Sequence, residues 1–119
     1  MADPVLGWCQ VGSREGRVAR NEATARRTNE QIEQAHQAAP VEGDVRVLCE
    51  CGHPTCERPL AITVAEYEAV RADAAQFAVA RDHVDPEVER VVAHTDRYAV
   101  VAKREGTPAA VAVQQDPRD

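Results

Sequence analysis

Val47-Leu48-Cys49-Glu50-Cys51-Gly52-His53-Pro54-Thr55-Cys56 holds three of the chain's four cysteines within eight residues. From Val45 onward the run alternates as a strand does, which puts Cys49 and Cys51 on one face. The chain then turns through Gly52 and Pro54 to Cys56, and residues 59–62 read as a return strand. The cysteines therefore cap a hairpin. Thiolates that hold zinc must converge on one point about 2.3 Å away, and a Cys-x-Cys on a strand with a third Cys beyond a glycine turn achieves this. Gly52 is expected to let backbone amides come close to the sulfurs and share their charge.

Three thiolates leave a tetrahedral site one ligand short. The candidates are His83, His53, Cys9 and His94. His53 lies between two residues already gripping the ion, in a loop stiffened by Pro54. Cys9 would complete a four-thiolate site from a stretch broken by Pro4, Gly7 and Gly12. His83 follows a strand centred on Phe77, with Asp82 and Asp85 at hand to accept its second ring proton, and it is the preferred ligand. His36 and His94 read as surface residues. The competing reading of the cluster is a set of buried thiols or a redox pair. An iron–sulfur centre would call for four well-spaced ligands, usually with Cys-x-x-Cys spacing. Neither His-Glu-x-x-His nor His-x-Glu with Pro-Cys-x-x-Cys is present, so no catalytic zinc motif is found.

The chain's other properties agree with a stapled small domain. Its 119 residues carry four aromatic side chains (Trp8, Tyr67, Phe77, Tyr98), so the core must be built mainly from Val and Ala, each burying little area. A formal net charge of −6 disfavours a general phosphate-backbone binder, although nucleic acid stays a candidate partner. No apolar run is long enough to span a bilayer, and the N-terminus lacks the order of a secretory signal. A cytoplasmic location is expected, where closely spaced cysteines are more often ligands than disulfides.

Outward from the cysteines, residues 1–12 read as an irregular arm and residues 13–37 as a helix stopped at Pro40. Its apolar stripe, Val18, Ala25, Ile32 and Ala39 with Ala35, is thin. Arg14, Arg17, Arg20, Arg26 and Arg27 balance the five acids up to Pro40, which predicts a solvated helix with intrahelical ion pairs. It is also the expected docking element for another protein. Thr63 and Glu66 form a capping box that opens a second helix. Strands are expected over 76–80 and 98–103, with 109–113 pairing to the latter across Gly106; 87–93 suits helix or strand. The expected divisions are an arm and helix over 1–40, a zinc-binding domain over 41–115 and a frayed tail over 116–119.

From Leu48 onward, Cys49-Glu50-Cys51-Gly52, Cys56, Glu66-Tyr67-Glu68-Ala69-Val70-Arg71, Phe77, His83-Val84, Pro86-Glu87, Glu89-Arg90-Val91-Val92, Tyr98-Ala99-Val100-Val101 and Lys103 resemble a group of small actinobacterial proteins of unassigned function. In that group a glycine precedes the counterpart of His83, where this chain has Asp82. The resemblance carries no activity. It implies His83 as the ligand that joins Cys49, Cys51 and Cys56.

The sequence thus predicts an α+β fold: a long N-terminal helix, then a small, mostly antiparallel sheet with a zinc knuckle and one or two short helices. The expected function is a small zinc-binding interaction or regulatory module with structural Zn2+ on Cys49, Cys51, Cys56 and His83. The alternative is a zinc–thiolate redox sensor, or a metalloenzyme with an open zinc position.

Overall fold

Strand β1 (Val45–Leu48) and strand β2 (Pro59–Ile62) form the expected hairpin in this computed structural model, which describes residues 14–38 and 43–117. The arm expected over 1–12, and Cys9 with it, lies outside the described residues. Val45 pairs with Ile62 and Val47 with Leu60 in antiparallel register, so all four side chains are buried on one face while Arg46 stays exposed on the other. Alternation of period two is what makes this face apolar.

Ahead of the hairpin runs helix α1 (Arg14–Ala38); after it come helix α2 (Val64–Arg71) and strands β3 (Gln76–Val79), β4 (Glu89–His94) and β5 (Ala99–Lys103), then helix α3 (Thr107–Gln114). The three later strands make a second antiparallel sheet in the order β3-β5-β4, with every residue of central β5 buried. The fold is α+β as predicted, with two small antiparallel sheets in place of one. The capping box is present in full: Glu66 N donates to Thr63 Oγ1 at 3.0 Å, and Thr63 N donates to Glu66 Oε1 at 2.9 Å. Residues 87–93, undecided in sequence, belong to β4 from Glu89 onward.

Three expectations are corrected. Residues 109–113 are not a strand but lie within α3. Pro108 fits a first helical turn, where its missing N–H costs nothing, but could not donate to a ladder. Short Ala/Val alternation does not by itself tell strand from helix. The tail is not frayed at Asp116, whose carboxylate pairs with the guanidinium of buried Arg71.

The third correction concerns α1, which is not a solvated helix. Glu22, Arg26, Asn29 and Glu33 are buried, a spacing that marks one helix face, with Ala23 beside them. Val18, Ala25 and Ile32 lie half-buried at its margin, and Ala35 is exposed. Buried charges on this face pair with other elements. Lys103 Nζ, buried on β5, donates to Glu22 Oε2 at 2.6 Å and to Glu89 Oε2 at 2.9 Å. Arg26 lies 4.0 Å over the Phe77 ring and donates to the carbonyls of Ala74, Gln76 and Ala112. Arg71 Nε reaches Glu30 at 3.0 Å. A core of small apolar residues leaves room for long polar side chains, provided each finds partners. Hydrophobic periodicity cannot detect a seam built this way.

Candidate metal centre

Beyond Cys49 the chain leaves its hairpin partner. Cys49 N still donates across the hairpin, to Arg58 O at 2.9 Å, but Glu50 N turns to Ala78 O of β3, also at 2.9 Å. The knuckle is thereby stitched to both sheets. Gly52 takes a φ of +80°, and its carbonyl accepts from Asn21 Nδ2 at 3.0 Å. A Cβ on Gly52 would sit 2.6 Å from Val18 Cγ1, 2.7 Å from Glu22 Cγ and 2.8 Å from Val18 O. Glycine is therefore required because the knuckle rests directly on α1, a reason different from the expected approach of amides to sulfur. The turn closes with Cys56 N donating to His53 O at 3.1 Å.

His83 arrives from the end of β3, where its N donates to Ala80 O at 2.8 Å in a tight turn. The Sγ atoms of Cys49, Cys51 and Cys56 and a ring nitrogen of His83 all lie within 4.8 Å of one another. His83 Nδ1 is 3.5 Å from Cys49 Sγ and 3.6 Å from Cys56 Sγ. A tetrahedral ion bonded at about 2.3 Å to sulfur and about 2.0–2.1 Å to nitrogen sets sulfur-to-nitrogen edges of about 3.5–3.6 Å. One ring proton could serve only one of those sulfurs, whereas a cation among the four atoms accounts for both distances. These are three soft thiolates and one imidazole positioned to bind a metal ion.

Cys49 is buried, and its Sγ accepts from Ala80 N at 3.2 Å, a donor that stabilises negative sulfur. A hydrogen bond with Cys49 pulls the Cys51 thiol well below its usual range, while that same bond and burial push Cys49 up. A cation bound among the sulfurs would displace any thiol proton that remains there. Cys51, Cys56 and His83 are half-buried and border an open groove of about 1070 Å³, together with Val18, Pro54 and Val84.

The other candidate donors are placed elsewhere. His53 is exposed, its Nδ1 accepting from Thr55 N at 3.3 Å, and is absent from the cluster. His94 is exposed on β4, as expected, whereas His36 is half-buried on α1. Asp82, one of two suggested partners for the His83 ring, instead accepts from Arg58 Nη1 at 2.8 Å, and that guanidinium lowers its pKa. Asp85 Oδ1 accepts from Glu87 N at 3.1 Å.

Sequence reasoning missed Glu50, which sits between two of the cysteines with no exposed surface. Its Oε2 accepts from Asn29 Nδ2 at 2.8 Å and from Tyr67 OH at 2.7 Å, and its Oε1 from Ala78 N at 3.0 Å. Burial pushes its carboxyl above the ordinary range, against these three donors and the nearby Arg26. One side chain therefore holds the Cys49-x-Cys51 backbone to α1, α2 and β3. No local signal in the sequence marks that role, because its partners lie on three other elements.

No protein-family profile, curated protein sequence or solved structure matches the chain. Among the described residues no helix is long and apolar enough to cross a membrane.

Proposed function

We propose that this protein is a small cytosolic zinc-binding module, in which one structural Zn2+ held by Cys49, Cys51 and Cys56 Sγ and His83 Nδ1 ties the β1–β2 knuckle to the loop after β3. The observation that carries the reading is the placing of His83 Nδ1 at 3.5 and 3.6 Å from two sulfurs, the edge lengths of a zinc tetrahedron. Four protein donors leave no position for a reacting water, which favours a structural role over a catalytic one. Protein purified without chelator should carry one zinc by native mass spectrometry, and Cys51→Ser should release it and lower stability. Metal-free protein, or a variant of unchanged stability, would argue for ordinary thiols.

The module acts by binding another protein through the outer face of α1. Arg17, Arg20, Thr24, Arg27, Gln31 and Gln34 are exposed there, while Glu22 and Glu33 turn into the core. That segregation supports an acidic partner surface. An extended polyanion such as nucleic acid would meet the acidic remainder of the chain, which holds fifteen acids against nine bases. Replacing Arg20 and Arg27 by Glu should abolish capture of the partner without loss of zinc. A salt-sensitive gel shift lost in the same variant would instead favour nucleic acid.

A further inference from the structure

We propose that the zinc site is a peroxide-sensitive switch, in which Cys51 and Cys56 form a disulfide and release the ion. The inference rests on the zinc reading and adds regulation to it. The three thiolates are not equivalent. Cys51 and Cys56 border the open groove and are half-buried, whereas Cys49 does not line it, is only 3% exposed, and has its Sγ engaged by Ala80 N. A small oxidant therefore meets Cys51 and Cys56 and is kept from Cys49.

Those two sulfurs also belong to one six-residue turn and lie within 4.8 Å of each other. Of the four residues between them Gly52 is buried against α1 but His53, Pro54 and Thr55 are exposed, so closing to a bond of about 2.0 Å is taken up in the exposed part of the turn. In the first step the Cys51 thiolate attacks hydrogen peroxide and the O–O bond breaks. Sulfur becomes sulfenic acid, and the departing hydroxide takes a proton to become water. In the second step Cys56 thiolate attacks that sulfur, the S–S bond forms and hydroxide leaves, to be protonated by solvent. Two thiolates lose two electrons, peroxide with two protons yields two waters, and Zn2+ passes to solvent unchanged in oxidation state. Attack at Cys56 first gives the same products.

The consequence is local. Cys49 and His83 remain as two ligands, too few to keep the ion. The loop carrying His83 then keeps the Arg58–Asp82 ion pair, whose side chains are 52% and 68% exposed and which holds little at the surface, while its far end stays tied by Val84 packed on the core, Asp85 N donating to Glu89 Oε1 at 2.9 Å and Arg104 Nε donating to Pro86 O at 3.0 Å. Oxidation thus loosens residues 81–83 while the hairpin, pinned through Gly52 and Glu50, stays in place.

The test treats zinc-loaded full-length protein with hydrogen peroxide, follows zinc with a chromogenic chelator, and maps disulfides by mass spectrometry after alkylation. The expected result is one equivalent of zinc released with a Cys51–Cys56 disulfide, in the Cys9→Ser variant also, and zinc uptake restored by dithiothreitol. Amide exchange should rise at 81–83 and stay unchanged in β1 and β2. Zinc retained with intact thiols, or a disulfide that uses Cys49, would overturn the switch and leave the structural site standing. Reduced protein that binds no zinc would overturn both.

Discussion

The side-chain amide of Asn29 pairs with both backbone groups of Leu48: its Nδ2 donates to the carbonyl at 2.9 Å, and its Oδ1 accepts from the amide at 2.8 Å. A helical side chain thus does for the free edge of β1 what a neighbouring strand would do, and the same Nδ2 reaches Glu50. The register of the metal knuckle is set from α1. Asn29→Ala would leave two backbone groups and a buried carboxylate short of partners, at a cost of about 2–4 kcal/mol. Urea denaturation of the zinc-loaded variant measures this, and a change within experimental error would show that the pairing contributes nothing.

Gly52 and Gly43 offer a matched comparison. Both have positive φ, +80° and +97°, but a Cβ at Gly43 meets nothing within 4 Å, whereas at Gly52 it strikes Val18 backbone and side chain. Gly43→Ala should cost only the left-handed backbone penalty of about 1–2 kcal/mol. Gly52→Ala should cost clearly more and weaken zinc binding, because the knuckle must lift from α1. Equal losses of stability with equal zinc affinity would remove the close-approach argument.

Asp116 supplies a check on the tail. Arg71 has a side chain with no exposed surface and two acidic partners, Glu30 and Asp116. Removing one partner of a buried charge is costly, so Asp116→Ala should lower stability by about 1–3 kcal/mol. A frayed tail would give no change in thermal midpoint.

Glu22 predicts a pH dependence. Burial outweighs the attraction of Lys103 and pushes its carboxyl from 4.5 up to about 7, with Glu89 adding repulsion. Because the folded state holds a proton that the unfolded state has lost, the stability from this group is present at low pH and is lost as pH rises through about 7. The stability difference between wild type and Glu22→Gln, both zinc-saturated, should therefore shift by about 1 kcal/mol against wild type between about pH 6 and pH 8. Comparing the two proteins cancels the titration of the thiolates, and a pH-independent difference would refute the assignment.

The elements with local signals were readable from sequence. Alternation at 45–48, the turn at Gly52 and Pro54, the capping box of Thr63 and Glu66, and the strand after Tyr98 each state their structure in a few residues. The four candidate ligands could be named because thiolate spacing and a histidine beyond a strand are chemical signals. What could not be read depends on distant partners. Nothing near Arg26 says that it will lie against Phe77 and cap three carbonyls, and nothing near Glu50 says that Asn29, Tyr67 and Ala78 converge on it. Those residues look like solvated charges until the tertiary structure supplies their partners. The strand expected at 109–113 failed because alternating Ala and Val suits either periodicity, and Pro108 decided the matter.

The proposed zinc site is closed, with three sulfurs and one imidazole. X-ray absorption at the zinc edge of the protein as purified tests it directly. The expected spectrum has three sulfur scatterers at about 2.3 Å and one imidazole nitrogen at about 2.0–2.1 Å. His83→Ala should replace the nitrogen shell by water or lose the metal. A shell without imidazole, an unchanged spectrum in His83→Ala, or protein that holds no zinc would contradict it.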